Sequence, residues 1–125
     1  MDNLKLEQNL GFLIHDVARL MRTAFDREML PLGLTRSQWW LLAHLRRRNG
    51  MSQTDLAEEL DLGKVTLGGL LDRLETKGWL TRQADPHDRR AKRIFLTPKS
   101  ESVLVDMTSA STRLLCEVTE GIVTQ

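Results

Sequence analysis

Four cationic side chains crowd one polar stretch of the chain, in a pattern suited to binding the phosphates or the minor groove of DNA. They are Arg89, Arg90, Lys92 and Arg93. Residues 85–92 are predicted to form a hairpin loop, where no core requires cations, and arginine favours the narrow minor groove because of its negative potential. Asp88 could hold an arginine in position through a charge-assisted pair. The alternative is a solvated charged turn.

A second candidate surface is the outward side of a helix predicted at 64–77. Its positions are small, polar or basic: Lys64, Thr66, Gly68, Gly69 and Arg73. Small residues let a helix backbone approach DNA, and Lys or Arg reach phosphates or guanine edges. Adjacent glycines each cost up to about 1 kcal/mol in a helix, so we expect close approach to DNA or tight packing to retain them. Ser52 and Gln53, which begin the preceding helix, complete the predicted DNA-binding set.

Residues that commonly carry catalysis or bind metals are few and scattered. His15, His44 and His87 have no metal-ligand spacing. Cys116 is the single cysteine, so no intramolecular disulfide is expected, and its spacing to any histidine does not indicate a nucleophile with its base. We expect it to pack in a core or interface, with redox sensing as the alternative. The sequence therefore predicts no enzyme, no metal site and no cofactor.

Hydrophobic periodicity and capping residues predict the elements that position these side chains. Apolar spacings of three and four indicate helices at about 6–29, 64–77 and 99–123. Thr35 and Gln38 form a predicted capping box for a second helix, and Ser52 caps a short third one. Residues 79–84 and 93–97 have the composition of two strands. The fold class is mainly α with a small β-hairpin wing, that is, a winged helix-turn-helix with long N- and C-terminal helices.

Composition and charge agree with one globular domain that meets a polyanion. The chain has 125 residues, 41% of them hydrophobic and 28% charged, which is typical of a folded soluble protein. Its net charge is +1, but residues 34–99 carry 13 Lys and Arg against 8 Asp and Glu, and the two flanks carry 5 against 9. The N-terminus lacks a signal-peptide pattern, and no apolar run suits a membrane span. We therefore expect a cytoplasmic protein.

Several stretches, in order and correctly spaced, resemble the bacterial MarR/SlyA transcription regulators from about Leu10 to Ile122. The strongest is DPHDRRAKRIFLT at 85–97, which is similar to the wing signature of that family. Supporting stretches are LTRSQW at 34–39, LAEEL at 56–60 and LDRLETKGWL at 71–80. The tryptophan-containing second helix and the basic wing are most similar to the SlyA branch.

The resemblance implies a homodimer that reads palindromic operators in double-stranded DNA. It divides the single domain 1–125 into dimerisation helices at 1–33 and 98–125 and a DNA-binding lobe at 34–97. The family's wing places the residue matching Arg90 in the minor groove, oriented by the residue matching Asp88. Gly69 departs from the family, which often has a polar residue there. Family members also usually continue beyond Gln125, so either the chain is shortened or its dimer uses fewer contacts.

The resemblance also implies that small aromatic acids such as salicylate weaken DNA binding. Trp39 or Trp40 could form an aromatic wall of such a site, with His15 or Arg19 meeting the carboxylate. The alternatives are that both tryptophans fill the core and that His15 lies on a polar helix edge. A second class of function, a winged helix that contacts only proteins, would show no salt-dependent affinity for DNA.

Overall fold

The described part of the chain contains five α-helices and one antiparallel hairpin. The computed structural model describes residues 3–123, and the side chains of residues 5–120. The helices are α1 (Asn3–Met29), α2 (Arg36–Arg47), α3 (Gln53–Leu60), α4 (Lys64–Thr76) and α5 (Glu101–Val123). The strands are β1 (Leu80–Ala84) and β2 (Lys92–Leu96), and single 3₁₀ turns lie at Leu30–Leu32 and Pro98–Ser100. The predicted fold class is confirmed.

Local capping explains where the helices of the lobe begin. The hydroxyl of Thr35 accepts a hydrogen bond from the backbone N–H of Gln38 at 3.3 Å, and the Gln38 side chain accepts one from the Thr35 N–H at 3.1 Å. This reciprocal pair is the predicted capping box. The hydroxyl of Ser52 likewise accepts from the Asp55 N–H at 3.0 Å and starts α3. These bonds satisfy amides that have no partner inside the helix.

Two hydrophobic clusters share α2 as their common wall. The cluster of the helix-turn-helix contains Leu41 and Leu45 of α2 together with residues from α3, α4 and the hairpin, namely Leu56, Leu67, Leu70, Leu71, Leu74, Leu80 and Ile94. The second cluster contains Trp39 and Leu42 of α2 with residues of α1 and α5, namely Met29, Val103, Leu104, Met107 and Ala110. Because α2 contributes to both, it joins the terminal helices to the lobe.

The terminal helices leave a long apolar stripe uncovered. Along α1 the exposed apolar side chains are Leu6, Leu10, Phe12, Leu13, Ile14, Val17 and Leu20, each between 56% and 69% exposed. The stripe of α5 behaves differently, because Met107 and Ala110 are buried within the chain and Val118 is exposed. The first half of the α5 stripe is therefore covered by its own chain, and the exposed part lies in the second half.

The element boundaries differ little from the predicted ones. Strand β1 begins at Leu80 and β2 at Lys92, each one residue from its expected start. Helix α5 begins at Glu101 because Pro98 opens a separate 3₁₀ turn before it. None of the helices in residues 3–123 combines the length and the apolarity that a bilayer crossing requires.

Candidate nucleic-acid interface

Helix α4 follows a tight turn that sets its angle to α3. Asp61 takes the left-handed conformation with φ 54°, and Gly63 is the N-cap of α4. The inward face of α4 is buried through Leu67, Leu70, Leu71 and Leu74. Burial of that face leaves the opposite face exposed to solvent, where a duplex can reach it.

The side chains predicted to contact DNA lie on this exposed face of α4. The side chains of Lys64, Thr66 and Arg73 are exposed, and none of these side chains forms an ion pair or hydrogen bond within the described residues. A Cβ atom added at Gly68 or Gly69 would meet nothing within 4 Å. Tight packing inside the chain is therefore the wrong explanation for the two glycines. Close approach of another molecule to the helix backbone is the explanation that remains.

The base of the wing is anchored by Arg93. Its Nε donates to the Asp85 carboxylate at 2.8 Å and its Nη1 donates to the Gly50 carbonyl at 2.9 Å. Backbone bonds join the same regions, because the Gly50 N–H donates to the Ile94 carbonyl and the Ile94 N–H to the Met51 carbonyl. The His87 N–H and then Arg93 lower the pKa of Asp85. Arg93 is therefore a structural cation, unlike the tip residues with which the sequence pattern grouped it.

Asp88 shapes the wing tip through the backbone. Its carboxylate accepts a hydrogen bond from the Arg90 N–H at 3.0 Å, and Arg90 itself forms no ion pair with any residue described. The expected charge pair between Asp88 and the Arg90 guanidinium is therefore absent from this chain in isolation, and the carboxylate orients the loop instead. Arg89 and Lys92 are likewise exposed and unpaired within residues 5–120.

Sequence reasoning missed the residue that fixes the wing against α4. Arg82 of β1 donates to Glu75 at 3.1 Å and forms an ion pair with Asp72, and its N–H donates to the second oxygen of Glu75 at 3.2 Å. The Arg82 guanidinium lowers the pKa of Glu75, and Glu75 with Asp72 raises that of Arg82. The sequence offered only one indication of this role, an arginine in an outward position of β1, and such an arginine alone does not indicate which residues it pairs with.

A cleft of about 400 Å³ separates the wing from the helix pair. Its walls include the cations Lys64, Arg82, Arg90 and Lys92 and the polar residues Gln53 and Thr54. Residues from α3, α4, both strands of the hairpin and its tip therefore meet around one cationic depression. Ser52 is half-buried and its hydroxyl is engaged in capping α3, so it supports this wall mainly through the backbone.

Of the residues proposed for an effector site, the structure pairs the two tryptophan rings, whose centroids lie 5.4 Å apart, but the described residues show no contact of either ring with His15 or Arg19. Trp39 is only 4% exposed and donates its indole N–H to Asp26 at 2.7 Å, so it belongs to the core. Trp40 is 43% exposed, and its ring packs edge-on against His44. His15 lines a shallow depression to which neither tryptophan contributes, and Arg19 lies beside Asp16 at 4.0 Å.

Asp26 is a further residue that sequence reasoning missed. Besides the Trp39 indole, it accepts a hydrogen bond from Arg36 Nε at 2.7 Å. The hydrogen bond from Arg36 lowers the pKa of Asp26 and, in turn, Asp26 raises that of Arg36. This carboxylate joins the end of α1 to the start of α2.

Cys116 is exposed in the isolated chain. The expectation that it packs in a core is therefore wrong, and its packing in an interface stays a prediction. Among the residues described, no three His, Cys, Asp or Glu side chains lie close enough to hold a metal ion.

Comparison with known proteins assigns this arrangement to one family. Residues 32–91 match the family model described as "MarR family". The crystal structure of the transcriptional regulator PA3341 is similar to the chain, with 37% identity, a TM-score of 0.80, and coverage of 90% of this chain and 83% of that one. Wild-type MarR from E. coli in its apo form has 27% identity, a TM-score of 0.82 and the same coverages.

A third similar structure contains DNA. Reduced AbfR bound to DNA has 28% identity to the chain and a TM-score of 0.65, covering 99% of this chain and 96% of that one. The family consists of transcription regulators and not of enzymes, which confirms the expectation that the chain is not an enzyme. The chain belongs to the MarR family of transcription regulators and carries its DNA-binding winged helix.

Proposed function

We propose that the chain is a cytoplasmic homodimer that regulates transcription by binding pseudo-palindromic operators and that small aromatic acids modulate it. In this proposal residues 34–97 form the DNA-binding lobe, and residues 1–33 and 98–125 form the dimerisation helices. The observation that carries it is the cleft in which Lys64, Arg90 and Lys92 surround the gap between the recognition helix α4 and the wing.

Unpaired cations support the DNA part of the proposal. Arg89, Arg90 and Lys92 on the wing and Lys64 and Arg73 on α4 are exposed and form no ion pair within the described residues. A cation without a carboxylate partner can neutralise a phosphate without first breaking an internal bond. Arg90 enters the flanking minor groove, where groove width and potential favour it, and α4 enters the major groove.

The apolar stripe of α1 supports the dimer. A folded monomer rarely exposes so many contiguous large apolar side chains, and an apolar stripe on a terminal helix usually meets a partner chain. The exposed second half of α5, with Leu115 and Val118, extends the same kind of surface. A second copy of this chain would cover both, and two-fold symmetry would place the recognition helices in successive major grooves, about 10–10.5 base pairs apart.

The proposed DNA binding is tested by measuring the affinity for random and selected duplexes between 50 and 200 mM salt. Over this range the affinity of a protein that makes about six phosphate contacts falls roughly a thousandfold. Arg90→Ala weakens binding to all sequences, most where A·T steps flank the site. Arg27→Ala, which removes an exposed arginine at the end of α1, is the control for net charge. A salt-independent affinity contradicts the proposal and favours a winged helix that contacts only proteins. Wild-type affinity of a folded Arg90→Ala dimer contradicts the proposed role of the wing.

The dimer is tested by sedimentation equilibrium at micromolar concentration. Leu13→Gln introduces an amide into the exposed stripe of α1 and shifts the equilibrium toward monomer. Arg27→Gln places the same side chain elsewhere on α1 and leaves the equilibrium unchanged. A monomeric wild-type protein that binds DNA contradicts the dimer and leaves the DNA part standing.

The effector is tested by titration with millimolar salicylate. Trp40 is exposed and has His44 beside it, so a bound aromatic acid there quenches its fluorescence. His15 and Arg19, exposed on α1, are the proposed carboxylate partners. Trp40→Phe removes the response, and Trp79→Phe does not. Unchanged fluorescence together with unchanged operator affinity rejects the effector.

A further inference from the structure

Val65 is an exposed apolar side chain in a place where the fold does not need one. It is the second residue of α4 and is 91% exposed. Among the described residues of α3, α4 and the hairpin, it is the one large hydrophobic side chain that is exposed. The other exposed apolar side chains lie on α1, α2, α5 or the turn after α1, so the stripe that supports dimerisation does not include Val65.

Helix geometry places Val65 at the middle of the outward face of α4. Successive residues turn by about 100°, and the buried positions are Leu67, Leu70, Leu71 and Leu74. The direction opposite to their mean lies within about 10° of Val65 and Thr76 and within about 30° of Gly69 and Asp72, so these four residues form the outermost line of α4. The cations Lys64 and Arg73 lie to either side of this line.

Gly69 leaves the space beside Val65 open. A Cβ atom at Gly69 would meet nothing within 4 Å. Val65 and Gly69 line one shallow hollow together with Thr66, Leu70 and Arg73. In its first half, the outermost line of the recognition helix therefore presents an isopropyl group and bare backbone without a side-chain hydrogen-bond donor. Asp72, which pairs with Arg82, and Thr76 follow in the second half.

Resting on the proposed function, we propose that Val65 is a specificity-determining residue that contacts the 5-methyl group of one thymine in each half-site. The thymine methyl is the apolar group that the major-groove edge of a base pair presents, and apolar side chains recognise it. Gly69 allows the helix to approach closely enough for contact. The flanking Lys64 and Arg73 bind phosphates or guanine edges on either side.

The test removes only the methyl group. The tightest-binding duplex is selected from a random pool with the full chain, and each thymine is replaced in turn by deoxyuridine. Loss of one buried methyl contact lowers affinity about fourfold per half-site. We expect one thymine in each half-site to show this loss with the wild type and none to show it with Val65→Ala.

Matched variants separate this contact from a general loss of binding. Val105→Ala makes the same change at an exposed valine of α5 and retains the wild-type pattern of deoxyuridine sensitivity. Val65→Ala lies on a surface position of a helix, so the variant remains folded. If Val65→Ala shows the same deoxyuridine sensitivity as the wild type, or if no thymine is sensitive, the proposed methyl contact is overturned while DNA binding stands. If the wild type shows no selective DNA binding, both the methyl contact and the proposed function are overturned.

Discussion

Replacing Asp26 by alanine removes the carboxylate that joins α1 to α2. Its two oxygens accept hydrogen bonds from the Trp39 indole at 2.7 Å and from the Arg36 guanidinium. Trp39 is only 4% exposed, so its indole N–H has poor access to water, although the Asp26 side chain is 31% exposed. The variant therefore leaves the N–H of a buried ring without a protein partner.

The magnitude follows from that unsatisfied donor. A buried donor left without an acceptor costs about 1–3 kcal/mol, so we expect Asp26→Ala to lower the free energy of unfolding by about 2 kcal/mol. Asp26→Asn retains an acceptor for Trp39 and loses only the charge opposite Arg36. That pair is partly exposed and screened by solvent, so the asparagine variant is less destabilised.

The assay is urea unfolding followed by circular dichroism at one fixed protein concentration, because the proposed dimerisation would contribute to stability. A double-mutant cycle with Trp39→Phe isolates the hydrogen bond. Phenylalanine has no indole N–H, so Asp26→Ala costs less than about 1 kcal/mol in that background, where no donor is left unsatisfied. Equal losses in the two backgrounds, or a loss below about 0.5 kcal/mol in the wild type, would refute this reasoning.

The same carboxylate predicts a pH dependence. The Arg36 hydrogen bond lowers the pKa of Asp26 in the folded state. The stabilisation by the charged form is then complete above the ordinary aspartate pKa of about 3.9 and disappears as the pH falls through the lower folded value. The stability difference between wild type and Asp26→Asn is therefore constant from pH 5 to 8 and shrinks below about pH 4. A difference that grows on acidification contradicts this assignment.

Three further predictions follow from the interface. Gly69→Ala raises the free energy of unfolding by up to about 1 kcal/mol, because its Cβ meets no neighbour, and urea unfolding curves measure this change. The same variant lowers operator affinity if the helix backbone approaches DNA closely, and fluorescence anisotropy measures that affinity. Asp88→Ala weakens operator binding less than Arg90→Ala, because it loosens the tip but keeps its charge; Asp88→Asn, which retains an acceptor for the Arg90 N–H, restores most of the affinity. Arg82→Met frees the wing from α4 and increases amide exchange in β1, and unchanged exchange contradicts its anchoring role.

Local sequence patterns were sufficient for the elements of the fold. The capping box of Thr35 and Gln38 spans four residues, and the change from helical to alternating periodicity near Trp79 marks the hairpin. Both depend on neighbours in the chain, so their physical causes are visible in the sequence. The winged helix could be predicted for that reason.

Contacts between distant residues could not be predicted in the same way. Asp26 and Trp39 are thirteen residues apart, and Arg82 lies seven from Glu75 and ten from Asp72. Their pairing depends on how helices and hairpin pack. The role of Asp88 was misjudged for a different reason, because the sequence cannot tell whether a carboxylate accepts from a guanidinium or from a nearby backbone amide.

The position of α2 between the two hydrophobic clusters makes it a lever. Its twelve residues give it a length of about 18 Å. A rotation of about 5° about the N-terminal end of α2 displaces the far end by roughly 1.6 Å. In a two-fold dimer the two displacements add, so the recognition helices move apart by about 3 Å, close to the rise of one base pair. A small rearrangement between the terminal helices is therefore enough to put both lobes out of register with a fixed operator.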